Sequence, residues 1–395
     1  MFVVTTPVTA DVLLNGQLAF LRENGFDVTL ISSPGVELDR VAQRERVNVI
    51  AIPIAREIDP VPDTLSLARL VRVLRTIEPD IVNASTAKAG LLGMAAAAIT
   101  RVPIRIYLQR GLRAETARGA KRRVLVVAER ATTAFAHHVI CVSDSLRKLL
   151  VDGRYGPTDK YKVLGAGASN GVDLERFAPT SAKLREAGEL KRSLGIPDHA
   201  PIIGFVGRPV TDKGIDELLD AFEIVLGRLP EARLLFIGAG FGDYAAAPAV
   251  AARLNRANVI GTGRVAEPAP YYAMMDVLAF PSHREGLPNA PLEAGACGVP
   301  TVATRATGVI DAISDGETGL LVEIGDVPGF GAALLRYLTE PTLRADHGRA
   351  ARARVAALYA REAVWARWRD EYARLLLGRG LPQPEPQRLT KTGTS

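Results

Sequence analysis

LAFPSHREGLPNAPLEAGACGVPTVAT, from Leu278 to Thr304, sets apolar runs between turn residues in an order that dictates its local structure. The run ending at Phe280-Pro281 has the length and punctuation of a buried strand. A loop follows, Ser282 to Asn289, with one charged trio, His283-Arg284-Glu285, and a Gly-Leu-Pro. Ala290 to Cys297 reads as a helix, with Pro291 in its first turn, where no intrahelical donor is needed. Gly298 and Pro300 stop it, and Thr301 to Ala303 is the next strand. Glu285 is thus expected in a strand-to-helix loop and Glu293 on the first turns of the helix. Both fall at the carboxyl ends of strands, where open α/β sheets place their ligands. Two carboxylates eight positions apart can equally be two solvated charges, so the frame around them has to decide.

That frame recurs outward. Residues 1–165 alternate strand-like and helix-like pieces. The strands are Phe2–Thr6, Asp27–Ile31, Val47–Pro53, Asp80–Val82, Ile104–Leu108 and His138–Val142. Between them lie helical stretches at Asn15–Glu23, Thr64–Ile77, Ala87–Ile99 and Arg122–Phe135, with Ser143 as N-cap of Asp144–Leu150. Residues 166–200, rich in Gly, Ala and Pro, read as a connector. Residues 201–360 repeat the alternation, a helix at 361–380 is expected to pack back on the first half, and 381–395 read as a flexible tail. Alternation of this kind predicts an α/β chain of two doubly wound parallel sheets facing a central cleft.

At 395 residues the chain can bury two full cores, and 48% hydrophobic with 23% charged residues is ordinary for a globular protein. Cys141 and Cys297, both in apolar surroundings, fit reduced core thiols of the cytosol. Five histidines without ligand spacing point to no metal site. The first residues are already strand-like, so no signal peptide is expected, and Ala89 to Thr100 is too short to span a bilayer. Residues 1–165 carry 23 Lys and Arg against 16 Asp and Glu, a net of +7, while the whole chain is +6. Arg101 to Arg130 alone holds nine basic and two acidic residues. Such a face suits phosphate-bearing or anionic-membrane partners, and equally an arginine-rich solvated helix.

Two glycine-rich turns compete as ligand sites. Gly238-Ala-Gly240-Phe-Gly242-Asp243 approaches a dinucleotide fingerprint, but aspartate stands where the third glycine belongs. A nicotinamide enzyme is therefore the weaker reading. Val206-Gly207-Arg208 to Lys213-Gly214 follows the first strand of the second half and precedes its first helix. There Gly207 lets backbone approach a ligand, and the helix start leaves donors free for an anion. Arg208 and Lys213 supply two cations within loop reach, which can stabilise a diphosphate leaving group without Mg²⁺.

The stretch from Glu285 to Glu293 resembles the E-x7-E signature of the retaining glycosyltransferases of the GT-B fold, family 4. The G-R-x4-K-G pattern of Arg208 and Lys213 matches the same family. Asp80-Ile-Val-Asn83-Ala-Ser85-Thr86-Ala-Lys88-Ala-Gly90 is similar to a segment of its bacterial capsule and O-antigen members, with Asn83 and Ser85 where histidines are common. So are Tyr107 to Arg113 and Gly167 to Asp173, and the resemblance spans most of residues 1–365. It implies a sugar transfer from a nucleotide sugar, UDP-linked, to a polyprenyl-diphosphate-linked glycan, with no cofactor, metal or nucleic acid. It implies an enzyme held peripherally on the cytoplasmic membrane face, with attack from the side the leaving group departs. The double displacement that also retains configuration would need two carboxyl groups about 5–5.5 Å apart.

By the same resemblance Arg208 and Lys213 hold the diphosphate and Glu285 the donor sugar hydroxyls. Glu293 takes the ribose, and Gly207, Gly286, Leu287, Asn289 and Ala290 lie along the donor. The main chain at Thr262-Gly-Arg264-Val265 takes the base or is an ordinary turn. Asn83, Ser85, Lys88, Arg110, Arg113 and Asn170 stand on the acceptor side. From another class, a non-catalytic nucleotide-sugar-binding regulator of a polysaccharide assembly complex would keep the same residues. A UDP-sugar 2-epimerase, of similar architecture, would spell the E-x7-E frame differently.

Overall fold

The computed structural model describes residues 1–55, 59–238 and 248–385. The chain forms two compact units, Met1–Asn170 with the chain from Glu362, and Gly171–Arg361. In the first, seven strands make one sheet: β1 (Phe2–Val3), β2 (Thr29–Ser32), β3 (Asn48–Ala51), β4 (Ile81–Ser85), β5 (Ile104–Gln109), β6 (His138–Cys141) and β7 (Tyr161–Val163). Their order is β3-β2-β1-β4-β5-β6-β7, and every pairing is parallel. In the second unit six strands follow: β8 (Ile202–Val206), β9 (Arg233–Ile237), β10 (Val259–Gly261), β11 (Val277–Phe280), β12 (Thr301–Thr304) and β13 (Gly319–Val322). These run β10-β9-β8-β11-β12-β13, again all parallel. Both sheets are doubly wound, with the direction of winding reversing at β1/β4 and at β8/β11.

The central strands are buried on both faces, which is why they read as unbroken apolar runs rather than alternations. All four residues of β11 and all four of β12 are buried. In the second unit Phe205, Phe222, Phe236, Leu218, Phe330 and Tyr337 belong to one core between the sheet and its helices. Helix starts follow side-chain chemistry: Ser143 accepts from the Leu146 amide at 3.4 Å and Asp326 from Gly329 at 2.9 Å.

Several elements differ from expectation. The helix expected over Asn15–Glu23 is found at Gln17–Glu23, and a further helix, Pro7–Leu13, precedes it, capped by Thr6 with Pro7 in the first turn. β4 runs on to Ser85, three residues past the expected end at Val82, since β5 pairs with it along its whole length. The stretch 166–200 is no plain connector: it holds the helix Ser181–Ser193, capped by Thr180, and the unit boundary falls at its start. The chain returns to the first unit through the helix Arg361–Leu377. Its Trp368 and Tyr372 are buried, and Tyr372 stacks edge-on against Phe2 at 6.3 Å and Phe26 at 6.0 Å. Of the fingerprint-like turn, residues 239–243 lie outside the described residues, as do 386–395 of the expected tail.

Candidate active site

The loops after β8 and β11 meet at the winding reversal of the second sheet. Gly214, at φ +66°, closes the turn Thr211–Lys213, and a Cβ there would lie 2.1 Å from the Pro281 carbonyl oxygen. Only glycine allows this approach, and it brings Lys213 over the Phe280 ring, 5.3 Å from its centroid. The Lys213 ammonium is hydrogen bonded to Glu285 Oε1. Ser282 Oγ donates to the same oxygen at 2.6 Å. The Glu285 amide is held by the Thr307 carbonyl at 3.0 Å. Gly308, at φ +76°, packs so tightly on the next residue that a Cβ would sit 2.1 Å from the Gly286 carbonyl oxygen. Glu285 is thus fixed by backbone from one side and by Lys213 and Ser282 from the other.

Asp212 anchors the turn from outside. Its carbonyl accepts from the His283 amide at 2.9 Å and lies 3.2 Å from Ser282 Oγ. Its carboxylate takes Arg284 Nη2 at 2.5 Å. His283 Nε2 lies 2.7 Å from Glu217 Oε1 on the helix Ile215–Leu226.

Glu293 sits on the helix Asn289–Ala296 and accepts from the Tyr272 hydroxyl at 2.8 Å. Burial raises its pKa, while the Tyr272 bond and the Arg176 charge pull it down. Burial, and then the Glu293 charge, lift the Tyr272 phenol well above its ordinary value, so the phenol stays a donor. Gly207, Gly238 and Gly263 bring the ends of β8, β9 and β10 to one rim. The Gly207 amide donates to Ile237 at 2.9 Å and the Gly238 amide to Gly263 at 3.0 Å. Arg208 and Arg264 are exposed there, with Val265, Leu287, Asn289 and Ala290 half-buried.

The first unit gathers its candidates less closely. Asn83 and Ser85 are buried on β4, and Asn83 Nδ2 donates to the Tyr372 hydroxyl at 2.6 Å. Lys88 is ion-paired with Asp63 at 2.5 Å. Arg110, expected with Arg113 on the acceptor side, donates to Ser169 Oγ at 2.5 Å; Arg113 is exposed. Burial lowers the Arg110 pKa to about 10. Asn170 is occupied by the Asn15 carbonyl at 3.1 Å and the Trp365 indole at 2.6 Å.

Tyr272, Ser282, Asp212 and Arg284 were not singled out by sequence reasoning. Ser282 and Arg284 lie in the loop just before Glu285, but Tyr272 is 21 residues from its partner on another helix, with no local pattern to mark it. Among the described residues no group of three or more His, Cys, Asp or Glu is placed to hold a metal ion.

A profile described as Glycosyl transferase 4-like domain matches residues 12–167, and one described as Glycosyl transferases group 1 matches residues 200–340. The capsular polysaccharide biosynthesis glycosyltransferase CapM of Staphylococcus aureus is 36% identical over 363 residues, 91% of this chain and 93% of that protein. The UDP-Gal:alpha-D-GlcNAc-diphosphoundecaprenol alpha-1,3-galactosyltransferase of Escherichia coli is 26% identical over 338 residues, 83% of this chain and 84% of its own. Anabaena Alr3699/HepE, solved in complex with UDP-glucose, matches with a TM-score of 0.80 at 18% identity, over 94% of this chain and 98% of that one, which is a likeness of fold.

Proposed function

The chain belongs to the family-4 glycosyltransferases of the GT-B fold, and on that premise we propose that it is a retaining enzyme moving a sugar from a UDP-sugar to a polyprenyl-diphosphate-linked glycan. The observation that carries the reading is the contact of Lys213 with Glu285 at the β8/β11 reversal, with Arg208 on the same rim. As the anomeric C–O bond breaks, negative charge builds on the departing UDP. Lys213, held by Glu285, and Arg208, exposed on the same rim, stabilise that charge, the work a divalent ion does elsewhere. Glu285 takes the donor sugar hydroxyls, and Glu293, oriented by Tyr272, takes the ribose diol. The acceptor hydroxyl attacks from the face the phosphate leaves and passes its proton to that phosphate, so no protein base is required.

UDP as the nucleotide is supported by the names of the Escherichia coli relative and of the Anabaena complex, and the lipid diphosphate by the former. Docking at an anionic membrane is supported by the helix Gly119–Phe135, where Lys121, Arg122 and Arg123 are exposed beside exposed Val124 and Val127. No helix among the described residues is long and apolar enough to cross a membrane.

The test is turnover of a panel of UDP-sugars with a synthetic polyprenyl-diphosphate sugar, in EDTA, with the product anomer read by NMR. Transfer with retained configuration is expected, and Glu285→Ala should lower kcat by roughly 10²-fold or more at unchanged Tm. Transfer by Glu285→Ala within twofold of wild type would remove the site assignment. An inverted product or a requirement for Mg²⁺ would overturn the mechanism.

A further inference from the structure

We propose that Asp212 and Arg284 are positioning residues: their ion pair clasps the turn Thr211–Lys213 to the loop after β11 and so sets Lys213 against Glu285. The two segments come from different strands across the winding reversal, and nothing in their covalent connection fixes one against the other. The turn is a single 3₁₀ turn, too short to hold its own geometry. Its placement comes from outside, at four points. Gly214 abuts the Pro281 carbonyl. The Asp212 carbonyl takes the His283 amide, the Asp212 carboxylate takes Arg284, and Glu217 takes His283. Lys213 lies between the first and third of these points, and its flexible four-carbon stem would otherwise sweep a wide arc.

The pair is half-open to solvent, with Arg284 22% and Asp212 38% exposed. An ion pair at that exposure contributes little to folding. What it does contribute is orientation: it ties the residue before Lys213 to the residue before Glu285. A displacement of the order of 1 Å between reacting groups can cost about 10²-fold in rate, so a clasp weak in stability can be strong in catalysis. The kinetic consequence rests on the glycosyl-transfer reading; the geometry does not.

Two measurements test the clasp. The first is steady-state kinetics with the UDP-sugar that supports wild-type turnover. Asp212→Ala and Arg284→Ala should each lower kcat about 10-fold or more, with donor KM changed by less than about threefold and Tm unmoved. The double variant should be no slower than either single one, because both remove the same contact. Asp212→Asn, which keeps an oxygen for Arg284, should recover most of the rate. The second is amide hydrogen exchange in the full chain without substrate. Protection should fall in both single variants over 211–214 and 282–286 and stay unchanged elsewhere. Rates within twofold of wild type, additive losses, or a fall in Tm that tracks the fall in kcat would overturn the proposal. So would unchanged exchange at the two segments. A wild-type protein that turns over no nucleotide sugar would sink the transfer reading instead, and the exchange result would still decide the clasp.

Discussion

Glu129 is buried on the helix Gly119–Phe135, where Gln109 Nε2 donates to it at 2.6 Å and the Tyr107 hydroxyl at 3.4 Å. Burial pushes its pKa from an ordinary 4.5 up to about 7, against the pull of those two bonds. The folded chain therefore holds this proton more tightly than the unfolded one, so between about pH 4.5 and 7 the group makes stability fall as pH rises. Glu129→Gln keeps an acceptor for Gln109 and removes the charge. It should raise Tm at pH 8 and leave it nearly unchanged at pH 4.5, read by calorimetry at the two pH values; an equal effect at both would show that the carboxyl is not desolvated. The polar residues of the second unit divide differently. Glu285, Glu293, Arg208 and Lys213 stand out in the sequence because they fall, among Gly and Pro residues, in the spacing that the family resemblance marks. Asp212 and Tyr272 are not legible, because what gives them a role is a partner brought up by folding. Arg110 is a further case, since its acceptor, Ser169, lies 59 residues on and no local spacing points to it.

At the scale of elements, the helix Gly119–Phe135 exposes cations and apolar side chains side by side. Lys121, Arg122 and Arg123 stand in its first turns, with Val124 at 49% and Val127 at 66% exposure. Each Lys or Arg near an anionic surface is worth about 1 kcal/mol, so in the membrane-docking proposal these three cations would supply a reversible attraction. Reversing the charges at 121–123 should abolish salt-sensitive flotation with anionic vesicles while sparing hydrolysis of the donor to water. Equal binding to neutral and anionic vesicles would take the membrane out of the reading. Most element types were readable, since parallel strands buried on both faces announce themselves as short apolar runs between turns. Boundaries were less so. The helix Val36–Glu45, part of the first unit, carries too few apolar residues to stand out, and it is held by Arg40 and Arg44 on Asp11 at 2.9 and 2.6 Å.

At the scale of the molecule, the same strand order occurs twice, and the C-terminal helix belongs to the unit the chain began with. Trp368 is about 1% exposed and lies 5.5 Å from the Tyr372 ring. Trp368→Ala should cost about 3–5 kcal/mol in chemical denaturation, the range for emptying a buried aromatic site. A loss under about 1 kcal/mol would mean that the helix is an attachment rather than part of the first core. By itself the sequence determined the two α/β units, the strand-loop-helix that carries Glu285 and Glu293, and the glycine turn that carries Lys213. Those features depend on local chemistry: apolar runs, caps, and glycines where a Cβ would clash. Tertiary structure alone decided that Lys213 reaches Glu285, that Asp212 and Arg284 tie their loops together, and that Tyr272 orients Glu293. It alone decided that Asn83 bonds to Tyr372, 289 residues away. Each of these is a contact between side chains from different elements, set by how strands order themselves in a sheet, and a linear spacing carries no record of that order.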